Sequence, residues 1–265
     1  MNILEEIAAK TKERIQKEKS QISIQELIRQ IESGEGENHS ERTFLEALKK
    51  EGMSYICEVK KASPSKGLIA PDFPYVEIAK EYEAAGASAV SCLTEPFYFQ
   101  GSDRYLKEIT REVSIPVLRK DFTVDEYMLY QAKSLGASAI LLICAILEDA
   151  QLVAYGELAR ELGLDALVEA HDECEMDRAL NCGARIVGVN NRDLRTFQVE
   201  MNNSIRLRRM APEDVVFVSE SGIRTPEDIR LLYDNQVDAV LIGETLMRSP
   251  DKKAALETLN GAPLT

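Results

Sequence analysis

The stretch KSLGASAILLICA, residues Lys133–Ala145, decides how the chain folds. Its first residues close a helical segment, and Gly136 supplies the left-handed residue that commonly ends one. From Ala139 to Cys144 no side chain is polar. A strand with apolar side chains on both faces has to be covered on both, as parallel strands between helices are. The same order of helix end, glycine, small residue and strand recurs in EAAGASAVSCLTE (83–95) and LNCGARIVGVNNRD (180–193), where Gly86 and Gly183 take the place of Gly136.

Outward from these repeats, the chain holds eight short apolar runs: YICEV (55–59), SAVSCLT (88–94), IPVLRK (115–120), SAILLIC (138–144), DALVEA (165–170), RIVGVN (185–190), VVFVSE (215–220) and VDAVLIG (237–243). Each is separated from the next by room for a helix, which makes the sheet parallel. No GxGxxG follows the first run and no GxxxxGK[ST] occurs, so the commonest nucleotide-binding open sheets are set aside. A closed (β/α)8 TIM barrel is the expectation for residues 51–265, and a chain of 265 residues suits it. Residues 1–50 read as a helical extension capping one end of the barrel, within one structural domain. There Ile3, Ile7, Ala8 and Ile15, then Ile24, Leu27, Ile28 and Ile31, fall at helical spacing. GEGENHS (34–40) breaks the pattern, and Ser40, followed by Glu41, Arg42 and the apolar Phe44, Leu45 and Leu48, is expected to start a further helix.

Hydrophobic residues make up 45% and charged residues 29%, the balance of a globular enzyme. A net charge of −13 argues against a nucleic-acid or anionic-membrane partner, but not against a small phosphorylated substrate met by local lysines. No run is long enough to span a bilayer, and the charged amino terminus lacks a leader pattern, so a cytoplasmic protein is expected. The cysteines (Cys57, Cys92, Cys144, Cys174 and Cys182) form no ligand spacing and read as unpaired packing residues in a reducing compartment. The only histidines, His39 and His171, have no metal-site company.

In such a barrel, chemistry sits at the carboxyl ends of the strands. Polar groups cluster there: Glu58 and Lys60 on the first strand, Lys120 on the third, Glu169 on the fifth, Asn190 and Arg192 on the sixth, and Glu220 and Ser221 on the seventh. Any one alone is an ordinary solvated strand end, but repetition on a single rim points to a site. Glu58 and Lys60 share parity and face one way. Lys61, Arg119 and Asp121 have the opposite parity and are expected to face helices or loops; His171 is expected to begin a loop or helix. Gly222 and Gly243, after the seventh and eighth strands, allow the backbone to approach a phosphate. Thr225-Pro226-Glu227 reads as a helix N-cap, a first-turn proline and an acidic first turn.

The motifs EVKKASPSKG, TEPFYFQGS, PVLRKDF, LLICAIL, LVEAHDE, GVNNRDL, VSESGI and LIGETLM, in that order and at strand ends, resemble those of the indole-3-glycerol phosphate synthase family across nearly the whole chain. The resemblance implies a carboxy-lyase of tryptophan biosynthesis. It would convert 1-(2-carboxyphenylamino)-1-deoxyribulose 5-phosphate to indole-3-glycerol phosphate, carbon dioxide and water, without cofactor or metal. By the same resemblance Lys120 is the general acid of ring closure, held by Glu58 and Glu169. Lys60 binds an anionic end of the substrate and is a candidate acid for dehydration, and Glu169 serves as base or charge stabiliser. Asn190 and Glu220 bind polar groups with Ser221 beside them, Ser63 and Arg192 line the anthranilate side, and Phe99 and Phe122 wall the aromatic ring. Gly222, Gly243 and the Glu244 amide hold the phosphate. Glu244 stands where many relatives carry Ser or Thr, so its side chain is expected to turn away. The rival is another phosphate-binding barrel such as phosphoribosylanthranilate isomerase, whose Asp/Cys acid–base pair is not matched by Glu58 and Lys60. A monomer is the default expectation.

Overall fold

The computed structural model describes residues 3–193 and 198–261. Eight parallel strands form a closed barrel: β1 (Ser54–Val59), β2 (Ala89–Leu93), β3 (Val117–Lys120), β4 (Ala139–Ile143), β5 (Asp165–Ala170), β6 (Ile186–Asn190), β7 (Val216–Glu220) and β8 (Ala239–Ile242). Each pairs with its neighbours in chain order, and β1 closes the ring against β8. Three helices precede the barrel: α1 (Ile3–Gln21), α2 (Ile24–Glu32) and α3 (Phe44–Leu48). The outer layer comprises α4 (Tyr75–Ala84), α5 (Asp103–Ile109), α6 (Tyr127–Ser134), α7 (Asp149–Glu161), α8 (Glu173–Asn181), α9 (Asn202–Arg208), α10 (Pro226–Asp234), α11 (Glu244–Arg248) and α12 (Lys252–Leu259).

Strand alternation divides the core in two. Ile56, Leu118, Leu141, Leu167, Val218 and Leu241 point inward and fill the barrel. Cys57, Val90, Val117, Leu142, Val168, Val187, Phe217 and Val240 point outward beneath the helices. The repeat glycines Gly86, Gly136 and Gly183 all have positive φ at helix ends, as their placement before strands requires. Thr225 caps α10 with a reciprocal bond to Asp228, and Pro226 occupies the first turn.

Three expectations need correction. The amino-terminal helices reach both ends of the barrel, not one. Ile3, Leu4 and Ile7 of α1 lie over the carboxyl-end mouth, whereas Phe44 and Leu48 of α3 join the interior core. Leu45 N–H donates to Asp165 at the start of β5, and Ser54 at the start of β1 donates to the Leu48 carbonyl, so α3 plugs the opposite end. The cap of α3 is Thr43, in a reciprocal pair with Glu46, because Ser40 spends its hydroxyl on the Arg42 carbonyl. Finally, Cys57, Cys92 and Cys144 are buried, but Cys174 is exposed on α8 and is no packing residue.

The covering helix is tied down by charge. Arg14 of α1 donates to Asp121 at 2.8 Å, and Asp121 also accepts from Thr94 at 2.7 Å. Behind it Arg119 bonds Asp103, Gln131, Thr94 and the Met128 carbonyl. Burial alone would raise the Asp121 carboxyl, but Arg14 and Arg119 hold it below the usual carboxylate value. Arg14→Ala should therefore cost about 3 kcal/mol at neutral pH, the lower end for a broken buried pair because Arg119 remains. A carboxyl depressed on folding stabilises above its unfolded pKa and loses that effect as the pH falls. Urea melts should therefore show the penalty shrinking below about pH 4.

Candidate active site

A cavity of about 410 Å³ opens at the carboxyl ends of the strands. Glu58, Lys60, Ser63, Phe99, Lys120, Phe122, Glu169, Asn190, Arg192, Glu220, Ser221, Gly222, Gly243 and Glu244 all line it. The strand period explains the convergence: Glu58 continues the inward series from Ile56, Lys120 from Leu118, Glu169 from Leu167 and Glu220 from Val218. Apolar layers fill the barrel below, and charged side chains crown them.

Two ammonium groups anchor the crown. Lys120 Nζ lies 3.2 Å from Glu169 Oε2 and 3.4 Å from Glu220 Oε2. Lys60 Nζ lies 2.5 Å from Glu58 Oε1. Glu58 therefore holds Lys60 and not Lys120; the second carboxylate on Lys120 is Glu220, and Glu58 acts on it only through its field. Burial would lower the Lys120 ammonium, but Glu169, Glu220 and Glu58 together hold it well above the usual lysine value. The three carboxyls divide accordingly. Glu169 resists burial because Lys120 and His171 flank it, which places it well below the ordinary range. Burial pushes Glu220 up to about 7: Lys120 offsets this in part, but Glu169 and Glu58 repel its charge. Its Oε1 is buried and finds no hydrogen-bond partner among the described residues.

Two glycines make room for this cluster. A Cβ on Gly188 of β6 would sit 2.3 Å from Glu220 Oε1. One on Gly243 would sit 2.3 Å from Glu58 Oε1 and 2.8 Å from Lys60 Nζ. Ser221 holds a positive φ of 67°, which is rare for a residue with a side chain. Asn191 braces that turn, donating to the Ser221 carbonyl at 3.2 Å and to Ser219 Oγ at 2.9 Å. Ser204 donates in turn to Asn191 at 2.8 Å.

An apolar wall stands opposite. The Phe99 and Phe122 rings lie 6.2 Å apart, with Ile3, Leu4 and Ile7 of α1 above the same cavity. The loop bearing Phe99 is folded around the buried Glu95 carboxylate, which accepts from the backbone N–H groups of Phe97, Tyr98 and Phe99 at 2.7–3.0 Å. Asn190 Oδ1 accepts from Arg192 N–H at 3.1 Å. The Glu244 carboxylate is turned onto Lys66 at 3.6 Å and Arg248 at 3.2 Å. Asp121 borders the cavity while its carboxylate is spent on Arg14 and Thr94, and Arg119 points to the helix side as its parity requires. His171 does not: its ring reaches back to Glu169 at 3.2 Å, because Asp172 caps α8 and turns the chain there.

Comparison with known proteins agrees with the geometry. The indole-3-glycerol phosphate synthase family model matches residues 4–259. An indole-3-glycerol phosphate synthase of Ruminiclostridium cellulolyticum is 54% identical, over 98% of this chain and 99% of its own. One from Lachnoclostridium phytofermentans is 49% identical, over 97% and 98%. Among solved structures, 3-hexulose-6-phosphate synthase from Salmonella typhimurium superposes with a TM-score of 0.65 at 10% identity, covering 79% of this chain and 97% of that one; it is a likeness of fold.

Two substitutions test the geometry. Gly188→Ala should displace Glu220 by about an ångström and lower kcat about 10²-fold with unchanged circular dichroism. Lys61 lies outside the cavity, so Lys61→Ala should stay within about twofold of wild-type turnover while Lys60→Ala loses orders of magnitude, as expected for a charge aimed at reacting atoms.

Proposed function

The chain belongs to the indole-3-glycerol phosphate synthase family, and from that premise we propose which of its side chains close the indole ring. It is a carboxy-lyase of tryptophan biosynthesis: 1-(2-carboxyphenylamino)-1-deoxyribulose 5-phosphate becomes indole-3-glycerol phosphate, carbon dioxide and water. The observation that carries the residue assignment is the presence of two separate ammonium–carboxylate pairs in one cavity, Lys120 with Glu169 and Lys60 with Glu58.

In the first step the aromatic carbon bearing the carboxylate bonds to the substrate's carbonyl carbon, and the carbonyl π pair moves to oxygen. Lys120 supplies the proton to that oxygen and stabilises its charge beforehand. A strongly held ammonium can still do this, since the alkoxide forming at the new bond is more basic than an amine. Carbon dioxide then leaves and its bonding pair restores the aromatic ring. The hydroxyl departs last, protonated by Lys60 with Glu58 as its partner, while Glu169 takes the proton lost from the new ring. Asn190 and Glu220, which both line the cavity, bind polar groups of the substrate, with Ser221 beside them.

Phe99 and Phe122 wall one side of the anthranilate ring, with Ser63 and Arg192 toward its carboxylate. The phosphate goes to the backbone N–H groups around Gly222, Gly243 and Glu244, beside Arg224 and Arg248, which line the same cavity. The Glu244 side chain takes no direct part, being occupied by Lys66 and Arg248. Free cysteines and an acidic surface support a reducing, cytoplasmic setting, and we take the monomer as the working unit. Among the described residues no helix is long and apolar enough to cross a membrane.

Indole fluorescence on adding the carboxyphenylamino-deoxyribulose phosphate tests the assignment. Lys120→Ala should lose at least about 10²–10³ in kcat while remaining folded. Near-normal kcat in that variant would remove Lys120 as the acid.

A further inference from the structure

His171 lines no part of the cavity, yet it touches one of the cavity's carboxylates. Its Nε2 stands 3.2 Å from Glu169 Oε1, an ion-pair distance without hydrogen-bond alignment. Its Nδ1 is 2.8 Å from Glu175 Oε2, and the same oxygen accepts the His171 backbone N–H at 2.9 Å. Asn203 of α9 donates to the His171 carbonyl at 3.0 Å, so ring and backbone are both fixed. A neutral imidazole carries one N–H and cannot serve two carboxylates; the cation can. Burial alone would lower this imidazole, but Glu169 and Glu175 outweigh it and raise it to about 10.

Glu169 thus carries a cation at each oxygen, Lys120 at Oε2 and His171 at Oε1. We propose that His171 is a positioning residue for ring closure: its charge keeps Glu169 ionised and turned toward Lys120, so that the ammonium proton faces the substrate's carbonyl oxygen. This rests on the reading that Lys120 and Glu169 act in that step. Without the imidazolium, Glu169 loses the cation at Oε1 and, among the described ion pairs, keeps Lys120, so the carboxyls coupled to Lys120 take up a proton at higher pH as a unit. Among the described residues, the charged groups facing the ring are Glu169 from β5 and Glu175 from α8. Behind Glu175 lie Arg178 and Cys144, behind Glu169 lie Lys120 and Glu220, and α9 presents the uncharged Asn203.

The test compares kcat–pH profiles and thermal midpoints of the wild type, His171→Gln and His171→Arg. Glutamine keeps an N–H donor without the charge. Its acid limb should move to higher pH by roughly one unit or more, with kcat on the limb falling about tenfold per unit. His171→Arg, which restores a fixed cation, should return the limb toward its wild-type position. An acid limb in His171→Gln that coincides with wild type overturns the proposal, whether kcat is full or uniformly reduced. If the glutamine variant does not fold, the arginine variant decides: a limb at or below the wild-type pH supports the charge role, and one above it overturns it. Glu169→Gln separates this proposal from its premise. Full turnover there removes the reading of Glu169, whereas an inactive Glu169→Gln beside an unmoved limb in His171→Gln sinks the His171 proposal alone.

Discussion

Taking an ammonium out of water costs several kcal/mol, and a protein tolerates one in its interior only when opposite charge and hydrogen bonds surround it. Lys120 meets that condition with Glu169 and Glu220 within 3.4 Å and Glu58 contributing at longer range. Three carboxylates in one cup would repel one another without Lys120 and Lys60, so each sign makes the other bearable. The arrangement is also uneven. Among the described residues Glu169 has two cationic neighbours and stays ionised, whereas Glu220 has one and is drawn toward protonation near neutral pH. Two carboxyls with diverging proton affinity beside one ammonium can divide acid and base work within a single site.

The barrel supplies what such a cluster needs. Parallel strands deliver side chains from β1, β3, β5 and β7 to one level, and Gly188 and Gly243 leave the volume that Glu220 and the Lys60–Glu58 pair occupy. On the far side of β3, Arg119 and Asp121 belong to a separate buried network that joins the strand bearing Lys120 to the covering helix through Arg14. The strand bearing Lys120 is therefore held from both faces: by the cavity carboxylates on Lys120 inside, and by the Arg119, Asp121 and Arg14 network outside.

Much of this was legible in the sequence because a strand's period of two fixes which side chains share a face. Glu58, Lys60, Lys120, Glu169, Asn190 and Glu220 could be placed on one rim from parity alone. Which carboxylates meet Lys120 was not legible, since its contacts with Glu169 and Glu220 cross the barrel between strands that are not neighbours, whereas Glu58 turns to Lys60 two residues along its own strand. His171 escaped because its position follows from the turn into α8, where the ring folds back on Glu169. The role of α1 escaped for a similar reason: Leu4 and Ile7 announce an apolar face but not what it covers. The α3 boundary is legible in the sequence, for Thr43 and Glu46 have the spacing of a reciprocal cap.

The claim at the centre is that Lys120 is held as a cation by the carboxylates around it. Nitrogen NMR of lysine-labelled protein, with the Lys120 signal assigned through Lys120→Arg, measures this directly. The account predicts an ammonium that remains protonated beyond the ordinary lysine pKa of about 10.4. A Lys120 signal that titrates below that value would contradict it.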